Sequence, residues 1–401
     1  MATYDIIVVG SRCAGASLAM LLARKGYRVL GVDRASFPSD TLSTHFLPPR
    51  ATARLASWGL LDRLARTGCP LIESITLDFG PVSIRGRPDP VDGTVAMFCP
   101  RRSVLDHMLV TAAREAGAEL RERTTVRHLL RHGERVCGIR AFDADGHEIE
   151  AYASIVVGAD GLWSRVAREV DAPTDTEQPS LSCGYYAYWS NVPTAGVEFY
   201  RRAGKVILVF PTHGDLTCIY VGLPCSETAT YRADVRATYM AGLEVAPQLA
   251  DRVRAGSQAE AFRGTNKLPN FYRRASGDGW ALVGDAAYHR DPITGMGIGD
   301  AFLGAQLLAD ALALGFEGKT PLAESLAQYR RELRRQTQDV YDYTLKSAEL
   351  LDPEPLMSFY CAIAADHDAT RQLMNVVTGA QSFREFFNKA TIARLTTASA
   401  A

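Results

Sequence analysis

The eight cysteines of this chain, at positions 13, 69, 99, 137, 183, 218, 225 and 361, include no C-x-x-C pair. Their scatter gives neither a zinc site nor a disulfide framework, and no other metal set is expected. It suits a reducing cytoplasm, with the thiols as core fillers. Long apolar runs are also missing: no stretch reaches the ~18 residues a membrane span needs, so none is expected. Charge of one sign does not dominate either. The formal net charge is −1 and no Lys/Arg run is interleaved with aromatics, which argues against nucleic acid as a partner. The first residues pass directly into Asp5-Ile-Ile-Val-Val-Gly10, with no basic region and cleavable apolar segment, so no leader is expected. Internal repeats and low-complexity tracts are absent. Lysine is missing from a long stretch, between Lys25 and Lys205.

What is present reads as a soluble α/β chain. Its 401 residues, 47% apolar and 22% charged, exceed the ~250–300 at which a single core stops growing. Residues 4–33 read as a βαβ unit. Ile6–Val9 has the β-branched run of a doubly covered strand, and Leu18, Leu21 and Leu22 share a helix face that Gly26 ends. Tyr27–Val32 is the next strand, closing at Asp33. A helix is expected from about Arg102 to Ala116, and buried strands at Ala153–Val157 and Trp280–Val283. The stretch from about 181 to 269, with Lys205–Pro211 and Leu216–Leu223, has the short Tyr/Val/Ile/Phe runs of a twisted antiparallel sheet. From about 322 the pattern turns helical. The charged run Tyr329–Arg335 reads there as a solvated helix face, and Pro353 and Pro355 mark a break.

Three motifs carry chemistry. Gly10-Ser-Arg-Cys-Ala-Gly15 lies between a strand and a helix, with Asp33 ending the next strand. A dinucleotide site uses such a turn, placing pyrophosphate at a helix N-terminus and an acidic residue on the ribose; an ordinary αβ turn is the other reading. The middle glycine is replaced by Arg12, whose guanidinium is able to bond phosphate oxygens or to turn away toward the ring or solvent. The second motif is Val156-Val-Gly158-Ala-Asp160-Gly161, a strand ending in an Asp-Gly turn. The third runs from Trp280 through Gly284-Asp285 and Pro292 to Gly295-Met-Gly297-Ile298-Gly-Asp-Ala301. It sets a carboxylate at a strand end and then a glycine-rich helix start with free N–H groups.

In that order and spacing the three segments resemble the dinucleotide, Asp-Gly and Gly-Asp motifs of the para-hydroxybenzoate hydroxylase-like flavoproteins. That superfamily includes group A aromatic monooxygenases, geranylgeranyl reductases and flavin-dependent halogenases. The likeness spans roughly residues 4–320. It implies a Rossmann-like FAD-binding domain (1–72, 100–180 and 270–325), an inserted antiparallel-sheet substrate domain (73–99 and 181–269) and a C-terminal helical segment (326–401). It also implies roles. Gly10, Arg12, Cys13, Ala14 and Gly15 would lie under the diphosphate, and Asp33 and Arg34 at the adenosine ribose. Arg102, opening an Arg-x-x-Leu-Asp helix, would lie against the cofactor, and the Val126 backbone against adenine. Asp160 would serve FAD and NAD(P)H or merely stabilise its turn. Asp285 would bond ribityl or ribose hydroxyls, and Pro292, Gly295, Met296, Gly297 and Ile298 would face the isoalloxazine, with Thr44 and His45 in the loop beside it.

Among the superfamily's activities, halogenases use a lysine near the flavin and a Trp-x-Trp-x-Ile-Pro segment. Here that lysine is absent, and Tyr188-Trp-Ser-Asn-Val-Pro193 keeps only the ending. Geranylgeranyl reductases carry a cysteine in the loop matching Pro38–Arg50, which has none, although Val209-Phe-Pro211 resembles their Phe-Pro strand end. The Asp-Gly motif favours a single-component monooxygenase, in which NADPH or NADH reduces FAD and molecular oxygen supplies the atom passed to an aromatic or polyketide-like small molecule. A C=C reductase is the alternative, a halogenase a lesser one, and FAD held without turnover a third. His45 would act as general base, bond the flavin, or simply bond backbone; His289 reads as structural. Tyr185, Tyr186, Tyr188 and Trp189, with Phe210, would roof an aromatic substrate or fill the core.

Overall fold

The structure, a computed structural model, describes residues 3–398, with side chains to residue 395. The N-terminal strand β1 (Thr3–Val9) is followed by helix α1 (Cys13–Arg24) and strand β2 (Val29–Val32). Ile6, Ile7 and Val8 are wholly buried, as a strand covered on both faces requires. Helix α2 (Arg102–Glu115) leads to strand β3 (Glu119–Arg121) beside β2, and β4 (Glu148–Gly158) lies on the other side of β1. The hairpin Thr125–His132 and Arg135–Phe142 extends from β4.

The chain then builds a second sheet around strands β5 (Ser182–Ser190), β6 (Lys205–Thr212) and β7 (Leu216–Pro224). These pair antiparallel in the order β5-β7-β6, and Val197–Arg202 adds to β6. Ile75–Asp78 and Ser83–Gly86 join the far edge. Residues alternate across this sheet. Tyr186, Tyr188, Leu208, Phe210 and Tyr220 pack with Phe46 and the C-terminal helices, and Ala187, Trp189, Ile207, Val209 and Val221 face the other way.

The antiparallel texture expected for 181–269 is incomplete. The stretch also contains helices at Thr228–Ala233, Val235–Leu243 and Pro247–Ala255, which cover the sheet's second face. Their apolar residues Tyr239, Leu243, Leu249, Ala250 and Val253 follow helical spacing, a signal easily lost beside the stronger strand runs.

The chain returns to the first sheet as strand β8 (Trp280–Leu282), parallel to β4, so the order is β8-β4-β1-β2-β3. Helices α3 (Gly297–Phe316) and α4 (Leu322–Ala348) follow. Contrary to expectation, α3 is long and apolar enough to cross a membrane by length and composition. It is mostly buried, however, and packs against α1 and α4 as a core helix. The charged run on α4 also differs from a purely solvated face. Tyr329 and Leu333 are buried, Arg330 donates to Ser276 Oγ at 2.5 Å, and Arg334 donates to Thr176 Oγ1 at 3.1 Å. Helix α4 ends at Ala348 and the next α-helix begins at Met357, so the proline pair does fall in a break.

Candidate functional site

Register brings the three motifs together. Val9 lies beside Val32 and Gly158, and Gly158 lies beside Leu282. Parallel strands end on one edge, so Gly10, Asp33, Asp160 and Asp285 all emerge at the carboxyl side of the sheet, where open α/β sheets bind ligands. A cavity of about 750 Å³ opens there. Its walls include Gly10, Arg12, Cys13, Ala14, Asp33, Arg34, Thr44, Arg102, Val126, Asp160, Asp285, Pro292, Gly297, Ile298 and Tyr186. A further group of expected residues lies outside this lining: Gly15, His45, Gly295, Met296, Tyr188 and Phe210.

Both glycines of the first turn are fixed by close approach. Gly10 has φ +97°, and a Cβ there would meet Ala159 O at 2.4 Å. At Gly15 a Cβ would fall 1.8 Å from Gly10 O, so this glycine lets α1 pack on the strand instead of touching the cavity. Helices α1 and α3 both start at the cavity with no side-chain cap, which leaves first-turn N–H groups free for an anion or an electron-rich ring edge. A Cβ on Gly297 would meet nothing within 4 Å, so the start of α3 stands open.

The acidic residues differ in how far they are already used. Asp33 accepts from Ser11 N at 2.7 Å and Ala35 N at 2.8 Å, which fixes the carboxylate across the turn. One oxygen of Asp160 accepts from Arg165 N at 2.7 Å and Val166 N at 3.2 Å, while its buried Oδ1 has no partner. Asp285 is exposed at the wall. His289 also lines the cavity, its Nδ1 2.5 Å from Pro269 O, in keeping with a structural part.

Arg12 does not point free into the cavity. Its Nη1 donates to Asp106 Oδ2 at 2.6 Å and Ser39 O at 3.3 Å, and its Nη2 to Ser39 Oγ at 3.1 Å and Asp40 O at 3.4 Å. Of the two directions open to this guanidinium, the structure has it turned toward Asp106 and the Ser39–Asp40 segment, with both Nη atoms bonded within the protein, while Arg12 still borders the cavity. Asp106 is the Asp of the Arg-x-x-Leu-Asp helix start; the sequence gives it no role of its own, although it stands four residues after Arg102 on one helix face.

At the other end the cavity meets the second sheet. Tyr186 and Tyr220 are directly opposed across β5 and β7, and both line the cavity. Both hydroxyls are buried without a hydrogen-bond partner. The nearest hydroxyls, Ser182 beside Tyr220 and Tyr188 beside Tyr186, are engaged with Asp291 at 2.6 Å and His45 Nε2 at 2.5 Å, and each, against the larger effect of burial, lowers the pKa of the phenol beside it without forming a well-placed hydrogen bond to it. Burial pushes the Tyr186 phenol up to about 12 and that of Tyr220 well above its ordinary value, so both remain hydroxyls. Tyr220 was missed in the sequence; it needed the strand register to be seen.

His45, at φ +62°, is wholly buried behind Thr44, and its Nδ1 has no partner. Burial, then the nearby Arg102 charge, hold its pKa down at about 3. It is therefore neutral near pH 7, a hydrogen-bonding group and a poor general base. Tyr188 stacks on it with ring centroids 5.8 Å apart, and the Arg101 guanidinium lies 3.8 Å from the centroid of the Tyr188 ring. Phe210 is core, packed between Phe46 and Phe199 at 6.1 and 6.0 Å, because its strand position faces the aromatic cluster. Tyr185 and Trp189 face away from the site, against Tyr231 and Tyr239. Met296 is buried, and Gly295, at φ +70°, abuts Phe46.

The residues fit FAD. The cavity has the size of a cofactor site, two uncapped helix starts face it, and the orphaned Asp160 Oδ1 lies in its wall. The chain is 26% identical over 362 residues to a digeranylgeranylglycerophospholipid reductase of Methanocella arvoryzae, covering 87% of each. It is 28% identical over 309 residues to a 6-methylpretetramide 4-monooxygenase of Streptomyces rimosus, covering 73% of this chain and 71% of that one. In structure it is similar to the myxobacterial chondrochloren halogenase CndH, with a TM-score of 0.80, 22% identity, and 100% of this chain and 97% of that one covered. Residues 3–344 match the family described as "FAD binding domain", and the chain belongs to that family, as an FAD-dependent oxidoreductase of the para-hydroxybenzoate hydroxylase-like group.

Proposed function

We propose that this chain is a single-component monooxygenase that takes electrons from NADPH or NADH and acts on an aromatic or polyketide-like small molecule bearing oxygen atoms. The observation that carries this reading is the pair of buried, partnerless hydroxyls of Tyr186 and Tyr220. An unmet buried hydroxyl costs about 1–3 kcal/mol, so its natural complement is a ligand with hydrogen-bonding oxygens. A prenyl chain offers none. The relative named as a monooxygenase supports the same choice. Among the cavity-lining residues the only lysine is the exposed Lys267, which weighs against halogenation.

Bound FAD would supply the redox chemistry and the activation of oxygen. Gly10, Ala14, Asp33 and Asp285, with the first turns of α1 and α3, would hold it. The protein's own part is orientation and exclusion of water: Tyr186 and Tyr220 would fix the substrate's oxygens, and neutral His45, behind the cavity wall, would hold Tyr188 and the end of the Pro38–His45 loop in place rather than remove a proton. The likeness to prenyl reductases keeps C=C reduction as the second reading. NAD(P)H and oxygen consumption, with product mass, measured on phenols, aromatic polyketides, indoles and a geranylgeranyl lipid, tests it. A product gaining one oxygen atom is expected; a lipid gaining two hydrogens without oxygen would replace this reading with the reductase.

A further inference from the structure

We propose that Asp106 is a positioning residue, a buried carboxylate that sets Arg102 against the cofactor cavity and turns Arg12 toward the Pro38–His45 loop. Asp106 is wholly buried. Its Oδ1 accepts from Arg102 Nε at 3.1 Å and from the Cys13 thiol at 3.2 Å; its Oδ2 accepts from Arg102 Nη2 at 3.0 Å and Arg12 Nη1 at 2.6 Å. A lone carboxylate would not be stable there, and neither would two adjacent guanidiniums without it. Two cations and one anion leave a net positive charge, and both arginines border the cavity.

The contacts continue outward. Arg12 holds Ser39 and the Asp40 carbonyl, and the Asp40 carboxylate accepts from Arg101 Nη2 and Arg263 Nη1, each at 3.0 Å. Arg263 begins a short strand paired with β5. One connected set of ion pairs and hydrogen bonds thus runs from α2, through the start of α1 and the loop, to the second sheet. The loop supplies Thr41–Thr44 to the cavity wall and ends at His45. Asp106 therefore governs two things at once: the placement of Arg102, and the order of the loop at the opposite end of the cavity. Arg12 acts as a strut between them, not as a phosphate ligand.

This rests on FAD occupying the cavity, and the experiment separates the two ideas. Apoprotein is titrated with FAD at low and high salt for the parent, Asp106→Asn and Arg12→Ala, with hydrogen exchange of residues 38–45 and the visible spectrum of bound flavin recorded for each. Asp106→Asn should weaken FAD by about tenfold or more, speed exchange in 38–45 and shift the spectrum. Arg12→Ala should speed the same exchange and shift the spectrum the same way, with the salt dependence of FAD binding left as in the parent. A shallower salt dependence in Arg12→Ala would make Arg12 a phosphate ligand and overturn the proposal. Unchanged exchange and spectrum in Asp106→Asn would reduce Asp106 to a stability role and overturn it too. If Asp106→Asn does not fold, the Arg12→Ala exchange and salt data decide alone. A parent apoprotein that does not take up FAD would instead sink the cofactor assignment.

Discussion

At the parallel-sheet end of the cavity, Asp33 is bonded to two backbone N–H groups and Arg12 to Asp106, Ser39 and Asp40. At the antiparallel-sheet end, the hydroxyls of Tyr186 and Tyr220 and the Nδ1 of His45 have no partner. The first end is built by backbone and internal ion pairs, with Asp160 Oδ1 the orphaned side-chain atom in its wall; the second is left open for whatever binds. A shared cofactor needs a rigid, repeated cradle, whereas a particular substrate is recognised by polar groups that it alone satisfies.

The sharpest way to break that contrast is at Gly15. A methyl group there would collide with Gly10 O, and overpacking of this kind costs about 1–3 kcal/mol. Gly15→Ala should lower the melting temperature and leave the protein without bound FAD. A variant that melts like the parent and keeps its flavin would show that the first end is less rigid than argued.

His45 gives the next effect. Its folded pKa, about 3, lies below the ordinary value of 6.5, so the unfolded chain binds a proton that the folded chain refuses. The contribution of neutral His45 to stability is complete above pH 6.5 and is lost progressively as pH falls toward about 3. At pH 5 the loss is on the order of 2 kcal/mol. Asparagine tolerates the positive φ of this position. Denaturant midpoints at pH 7 and pH 5 should therefore separate less in His45→Asn than in the parent; equal separations would mean that His45 is not held neutral by the fold.

Asp285→Ala should weaken FAD by about tenfold, because it removes a charged acceptor at the wall. Direct titration of the apoprotein reads this, and unchanged affinity would remove Asp285 from the cofactor site. The smallest effect has opposite signs in two states. Tyr220→Phe should leave the substrate-free protein as stable or up to about 1 kcal/mol more stable, since it deletes an unmet hydroxyl, and yet raise KM for the true substrate. A loss of stability with KM unchanged would mean that the hydroxyl is satisfied within the protein.

The first end was far more legible in the sequence than the second. Its features are local: a glycine-rich turn between a strand and a helix, an acidic residue at a strand end, a glycine-rich helix start. Each is written in a few consecutive residues, and together they led to the α/β fold and to FAD. The second end depends on register. That Tyr220 opposes Tyr186, that Phe210 points into the core and that Tyr185 and Trp189 turn away are settled by strand alternation and pairing across residues 182–224. Which way Arg12 turns was illegible for a related reason. Its partners Ser39 and Asp106 are 27 and 94 residues away, and no local pattern links either of them to Arg12.

The position of β8 bears on how the protein is made. It pairs with β4 from the far side of the second sheet, Trp280 beside Val156, so about 120 residues must be synthesised between the two. At ribosomal rates of about 5–20 residues per second that interval lasts roughly 6–24 s. Throughout it the end of β4 carrying Asp160 has an open edge, with backbone groups that a neighbouring nascent chain could pair with. The second helix start of the cavity, at Gly297, emerges later still. A growing chain thus cannot close the cofactor site until nearly three-quarters of it has left the ribosome, which makes flavin capture a late event and the yield of folded protein sensitive to the pace of translation through the second sheet.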